Sequence, residues 1–169
     1  MSRFEDLNAM FIHELKDVAS AESQQVAALS KLAEAASDDD LAKALNDHLE
    51  VTKSHSEKVI DILASLDSAS GGVTCEGMKG ILDECNTIVD DASQDSLRDA
   101  GLIASVQKAK HYEIATYGAL RSWARALGHN DAADTFDEIA KEEGAADKRF
   151  VKLAEQINPK AKEATAGVA

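Results

Sequence analysis

Proline is almost missing from this chain: Pro159 is the only one in 169 residues. No helix before the C-terminal end is therefore interrupted by a ring that cannot donate a backbone hydrogen bond, and the abundant alanine favours an all-helical chain. Long apolar runs are also missing. None approaches the roughly 18 to 20 residues of a membrane-spanning helix. The N-terminal stretch MSRFEDLNAMFIHELKD carries acidic residues throughout and has no apolar signal core, so a cytoplasmic location is expected. Cysteine is scarce. Cys75 and Cys85 have no His or Cys companion at zinc spacing and are expected to be reduced thiols packed as small apolar groups. Positive charge is in short supply, with 18 basic against 31 acidic residues and a net charge of -13. That balance argues against nucleic acid and against anionic membrane surfaces as partners. Trp123 and the four phenylalanines are dispersed and form no stacking platform. Gly71-Gly72 lies outside any strand–turn–helix context, so no phosphate loop is indicated, and no serine or cysteine has the setting of a nucleophile elbow.

What the chain does have is helical periodicity. One segment runs from about Phe4 to Ala36, with Leu7, Phe11, Leu15, Val18, Val26, Leu29 and Leu32 on one face. A second, from about Asp38 to Leu66, carries Leu41, Leu45, Leu49, Val59, Ile62 and Leu66. Two more run from about Asp95 to Leu127 and from about Asn130 to Ile157, with Gly128 placed to cap the first of them. Each would be about 40 to 50 Å long. Between the two pairs, Asp67 to Thr74 reads as a loop and Cys75 to Ala92 as a shorter, peripheral helix. The spacing predicts a helical bundle over residues 1–159 and a frayed, aperiodic tail over 160–169.

Laying the first pair over the second superposes their core positions: Phe11 falls on Leu102, Leu15 on Val106, Glu22 on Glu113, and Val59 on Phe150. Two helical hairpins joined by a long crossover describe an all-α, ferritin-like four-helix bundle with a short fifth helix.

Three glutamates stand where such helices should carry leucine. Leu15, Val18, Val26 and Leu29 flank Glu22; Val106, Ala109, Tyr117 and Leu120 flank Glu113; Phe136, Ile139, Ala140 and Phe150 flank Glu143. Residues three, four and seven apart share a face, so these carboxyls point inward, where burial without a partner is costly. A turn near Asp38 sets Glu22 opposite His55, and a turn near His129 sets Glu113 opposite Glu143. Glu22, His55, Glu113 and Glu143 should then meet in one layer, with Asp147 one turn from Glu143 as a fourth carboxylate. Carboxylates and imidazole suit iron, manganese or zinc. The expected metal ligands are Glu22, His55, Glu113, Glu143 and Asp147, holding one or two iron or manganese ions. His48 reads as a structural neighbour and Tyr117 as a group able to bond a carboxylate. Glu50 sits on a solvated face, and Glu14 points partly inward. The competing expectation is a metal-free structural or interaction protein with a buried polar network. In that case Lys110, one turn from Glu113, neutralises Glu113.

The stretches F11-I-H-E-L-K-D17, A21-E-S-Q24, H48-L-E-V-T52, C75-E-G-M, R98-D-A-G-L-I-A104, H111-Y-E-I-A-T-Y-G118 and E142-E-G-A-A-D147 resemble those of the YciE/YciF-like proteins. These are bacterial stress-associated members of the ferritin-like superfamily, and the resemblance spans about residues 4 to 157. It implies a ferritin-like bundle with an extra crossover helix, a homodimer and a link to stress, and it supplies no established reaction. Ferritins and rubrerythrins carry a Glu-x-x-His pair on the second and fourth helices. This chain departs from that, with Thr52 before His55 and Ala146 after Glu143.

Overall fold

The computed structural model describes residues 4–166. Five helices account for nearly all of it, and no strand occurs among the described residues: α1 Leu7–Ala35, α2 Asp39–Ser65, α3 Glu76–Asp91, α4 Asp95–Leu127 and α5 Asn130–Ala166. α1 pairs with α2 and α4 with α5 as hairpins, while α3 lies in the crossover against α1 and α4.

The helix ends follow local chemistry. The Asp6 carboxylate accepts from the Ala9 N–H at 2.7 Å, and Asp38 accepts from Asp40 and Leu41. Gly128 closes α4 in the left-handed region at φ 84°, which a residue with a Cβ adopts only with strain. The α1–α2 turn is clamped from α4: the Ser37 and Asp38 N–H groups both donate to the buried Asp99 carboxylate at 2.9 Å, and Arg98 Nε donates to the Ala35 carbonyl. α3 lies close on α4, and a Cβ added at Gly101 would meet Ile88 Cγ2 at 2.2 Å.

The core has two apolar ends. Phe11, Leu15, Val59, Leu63, Leu120 and Phe136 fill one; Leu29, Leu41, Leu45, Leu102, Val106, Phe150 and Ile157 fill the other. The start of α1 thus meets the end of α4, and the start of α2 meets the end of α5. The two hairpins run head to tail, and positions that the internal repeat equates lie at opposite ends. Leu15 and Val106 are an example. Only the middle of each helix, where Glu22 and Glu113 sit, keeps the same height.

The expected frayed tail after Pro159 is corrected over 160–166, where α5 continues through the proline to Ala166; residues 167–169 lie outside the described residues. The helix persists because its apolar stripe does. Leu153, Ile157 and Ala161 recur at one-turn spacing and are buried, and Lys160 Nζ reaches Asp38 Oδ2 at 2.9 Å. Packing there outweighs the one backbone bond that the proline cannot make.

Candidate functional site

Between the two apolar ends lies a polar layer fed by all four long helices. α1 contributes Glu22 and Gln25, α2 His48, Thr52 and His55, α4 Lys110, Glu113 and Tyr117, and α5 Glu143; all are buried. Helical spacing puts them there. Each stands one turn from apolar residues on the inward stripe, so folding around leucine and phenylalanine takes the charges inside with them.

Lys110 is the hub. Its side chain is fully buried, and Nζ lies 2.6 Å from Glu113 Oε2 and 2.6 Å from Glu143 Oε2. A third contact, to His48 Nε2, is also close. An ammonium has three donors, and three acceptors surround this one. His48 is held neutral, its pKa lowered to about 3 by burial and then by the Lys110 charge. Its Nε2 lone pair therefore faces the ammonium, and Thr52 Oγ1 approaches the same nitrogen at 3.3 Å. Burial works against the Lys110 charge, but Glu113 and Glu143 outweigh it and hold the ammonium above its ordinary value.

The carboxyls differ because their partners differ. Burial pushes Glu113 up, against the pull of Lys110, to about 7; the Gln25 amide donates to its other oxygen. Burial acts on Glu143 as well, but Lys110 and His55 bring it down to about 2. Burial and then the Glu113 charge push Glu22 well up, and Tyr117 donates its hydroxyl proton to Glu22 Oε1. The ammonium and Glu143 thus form the charged pair, burial favours the neutral forms of Glu22 and Tyr117, and Glu113 titrates near neutral pH. Charge in the layer nearly balances from the chain's own side chains.

Of the residues expected from sequence, Glu22, His55, Glu113 and Glu143 share this layer. Asp147 does not join them. It is half-buried toward the outside of the α4–α5 hairpin, where Gln107 Nε2 donates to it at 3.1 Å and the exposed His111 lies 3.5 Å away. One turn along α5 from Glu143 was the right spacing but the wrong angle. Sequence reading also passed over two participants. Gln25 lies three residues beyond Glu22 on the same face, and that spacing could have found it. Glu142 reaches inward from the groove between α2 and α5, and its Oε2 lies 2.6 Å from His55 Nε2. It is 48% exposed, so no periodicity signal marks it. The groove has a volume of about 620 Å³ and is bordered by His48, Val51, Glu142, Ala146, Arg149 and Phe150 among others.

The arrangement does not fit a metal centre of the expected composition. Among the described residues, no three His, Cys, Asp or Glu side chains surround an open point. The point that Glu113, Glu143 and His48 do share holds a lysine nitrogen. Glu22 is engaged by Tyr117 instead, and His55 lies between Glu142 and Glu143, its Nδ1 3.1 Å from Glu143 Oε1. Some atoms of the layer remain poorly served: Glu22 Oε2, His55 Nδ1 and both oxygens of Glu143 lack a well-aligned hydrogen bond.

Outside the layer, no helix among the described residues is long and apolar enough to cross a membrane. Cys75 and Cys85 are free and buried. Cys75 Sγ caps α3 by accepting from the Met78 N–H and meets Tyr112 Oη at 3.0 Å; Tyr112 in turn donates to Asp17.

Protein YciF of Escherichia coli (strain K12) is 39% identical to this chain over 163 residues, covering 95% of the chain and 96% of YciF. The crystal structure of that E. coli stress protein superposes with a TM-score of 0.88 at 37% identity, covering 93% of this chain and 99% of the other. YcfI of Rhodopseudomonas palustris, proposed to be a structural protein, superposes with a TM-score of 0.85 at 32% identity, covering 89% of this chain and 96% of the other. Residues 6–163 match the family described as a domain of unknown function, DUF892. The chain belongs to that family.

Proposed function

We propose that this protein serves in the stress response as a non-catalytic structural bundle whose charged middle layer is neutralised by Lys110 in place of a metal. One observation carries the reading: a fully buried ammonium lies 2.6 Å from each of two buried carboxylates. A lysine at that point supplies the counter-charge that a cation would otherwise bring. Buried ion clusters add little net stability compared with apolar packing, so the layer's value lies in fixing which helix faces which. The stress and structural assignments of the two relatives support the functional half of the reading. The free, buried thiols suit a reducing compartment, and the cytoplasm is where we place the protein.

The competing reading keeps iron or manganese at Glu22, His55, Glu113 and Glu143, with a redox role. Glu22 Oε2, which has no hydrogen-bond partner, favours it, but it requires Lys110 to leave its place. Elemental analysis of protein purified from cells grown with added iron and manganese separates the two. Our reading expects metal far below one ion per chain. Stoichiometric metal, lost in a Glu113→Ala/Glu143→Ala variant, would establish the other.

A further inference from the structure

We infer that the α2–α5 groove binds a small carboxylate with an apolar body, fatty or aromatic, and that His48 Nδ1–H and the Arg149 guanidinium hold its charged end. The site opens on the outer side of the charged layer and goes beyond a structural role for the bundle.

Two independent observations carry it. The first is a buried donor without a partner. Lys110 Nζ approaches His48 Nε2, and an ammonium only donates, so Nε2 holds the lone pair and Nδ1 carries the proton. The residue is 4% exposed. Its Nδ1–H meets no acceptor among the described residues, yet it is not sealed from solvent. It opens on the groove that His48 borders, where an N–H so placed calls for an acceptor from outside the chain. The second is a cation beside it. Arg149 borders the same groove, next in sequence to Phe150, whose ring meets the His48 ring edge-on at 6.3 Å. Arg149 Nη2 lies 2.9 Å from Asp47 Oδ2. That oxygen also takes Lys43 Nζ at 2.7 Å, so Asp47 keeps a counter-charge when Arg149 turns away. An N–H donor and a guanidinium together select a carboxylate.

The far end of the groove shows the same recognition completed from within the chain. The Glu142 carboxylate reaches His55 Nε2 at 2.6 Å, with Lys58 Nζ 3.9 Å away. His48 stands seven residues before His55 on the same face of α2, and the internal repeat equates Lys58 with Arg149. Imidazole and cation thus recur, but no carboxylate of the described residues bonds to this imidazole. Ala44, Val51, Ala145 and Ala146 give the space between the two ends a small, apolar lining. Its volume of about 620 Å³ is ordinary for a small-molecule pocket. Glu50 and Glu142 at the rim disfavour a doubly charged phosphate and leave a monocarboxylate.

The test is calorimetric titration of the protein with octanoate, with octanol as the uncharged control and histidine-nitrogen NMR reading the tautomer of His48. Free wild type is expected to carry the His48 proton on Nδ1. Octanoate is expected to bind with a Kd of about 1 mM or below and to move the Nδ1–H resonance. Arg149→Ala, at an exposed position, should weaken octanoate about 10-fold or more. His48→Gln keeps an acceptor for Lys110, deletes the Nδ1 donor and should weaken it similarly. Asp47→Asn releases Arg149 and should tighten binding. No measurable octanoate binding, or binding unchanged in Arg149→Ala, would overturn the inference. So would octanol binding as tightly as octanoate, the mark of an apolar groove alone, or a His48 proton found on Nε2. If His48→Gln does not fold, Arg149→Ala and the Nδ1–H resonance of wild type decide the matter.

Discussion

The middle of this bundle and its two ends are equally buried and chemically opposite. Phe11, Leu15, Val59 and Phe136 at one end, and Leu41, Leu45, Leu102 and Phe150 at the other, have lost nearly all contact with solvent. So have Lys110, Glu113, Glu143 and His55 between them. Burial acts on the two kinds of residue with opposite sign. An apolar side chain gains roughly 1.5 to 3 kcal/mol when fully removed from water, whereas a charge loses several and recovers them only through partners. The ends are therefore tolerant of details and the middle is not. A hairpin shifted by one turn against the other would still set leucine against leucine at the ends, but would part Tyr117 from Glu22, Gln25 from Glu113 and His48 from Lys110. The apolar ends hold the bundle together, and the charged middle selects one register.

Removing the hub is the sharpest way to break that contrast. Lys110→Ala leaves Glu143 and Glu113 buried without a cation, and is expected to cost about 3 to 5 kcal/mol in denaturant unfolding. Leu45→Ala at the apolar end is expected to cost about 2 to 5 kcal/mol through lost packing and a cavity. Similar losses have different cures. Replacing Lys110, Glu113 and Glu143 together by methionine removes every unpaired charge, and the triple variant should be as stable as wild type or more so. No further polar deletion should rescue Leu45→Ala. A Lys110→Ala loss under about 1 kcal/mol would mean that water reaches the carboxyls and that the middle layer is not a buried ionic one.

Tyr117 tests the layer more gently. Its ring packs within the first apolar end while its hydroxyl donates to Glu22, so Tyr117→Phe keeps the packing and deletes one donor. Glu22 Oε2 already has no partner, and the variant leaves the whole carboxyl alone. The expected loss is about 1 to 3 kcal/mol, and the Glu22→Leu/Tyr117→Phe pair should recover most of it. Equal losses in the single and double variants would remove Glu22 from the account.

The ends of the bundle were legible in the sequence and the middle only in part, for a physical reason. Apolar periodicity reports which face of a helix is buried, and it placed all five helices and the inward direction of Glu22, Glu113, Glu143 and His55. It cannot report which buried polar atoms touch, because that depends on side-chain reach and helix rotation. Asp147 shows the limit: one turn from Glu143, it turns outward to Gln107 and His111. Glu142 shows the converse, an exposed residue whose reach brings it to a buried histidine. Spacing makes Lys110 a neighbour of Glu113, but its contact with Glu143 on another helix depends on how α4 and α5 are rotated. The tail after Pro159 misled for a related reason: it shows no periodicity by itself, yet Ala161 continues the buried stripe of Leu153 and Ile157.

The smallest expected effect is a pH slope that separates the two regions without deleting packing, since the apolar ends do not titrate. Glu113 is raised from 4.5 to about 7 in the folded protein. An acid raised on folding keeps its proton longer in the native state than in the unfolded one. Its contribution is therefore whole below pH 4.5 and is lost as pH rises through 7. Glu22, also raised, acts in the same direction. His48, lowered from 6.5 to about 3, acts oppositely but only within that interval, as does Glu143 between 4.5 and about 2. Above pH 6.5 Glu143 has finished titrating, and His48 retains only the second half of its unfolded-state titration, a rise of about 0.4 kcal/mol. Wild-type stability should then fall by about 0.5 kcal/mol between pH 6.5 and 8. Glu113→Gln should flatten most of that slope, while Leu45→Ala should lower the whole curve and leave its slope unchanged. A slope that survives in Glu113→Gln would assign the titration to Glu22. A wild-type curve that falls nowhere between pH 6.5 and 8 would show that Lys110 holds Glu113 ionised, and that the layer carries a net negative charge which only a further cation could balance.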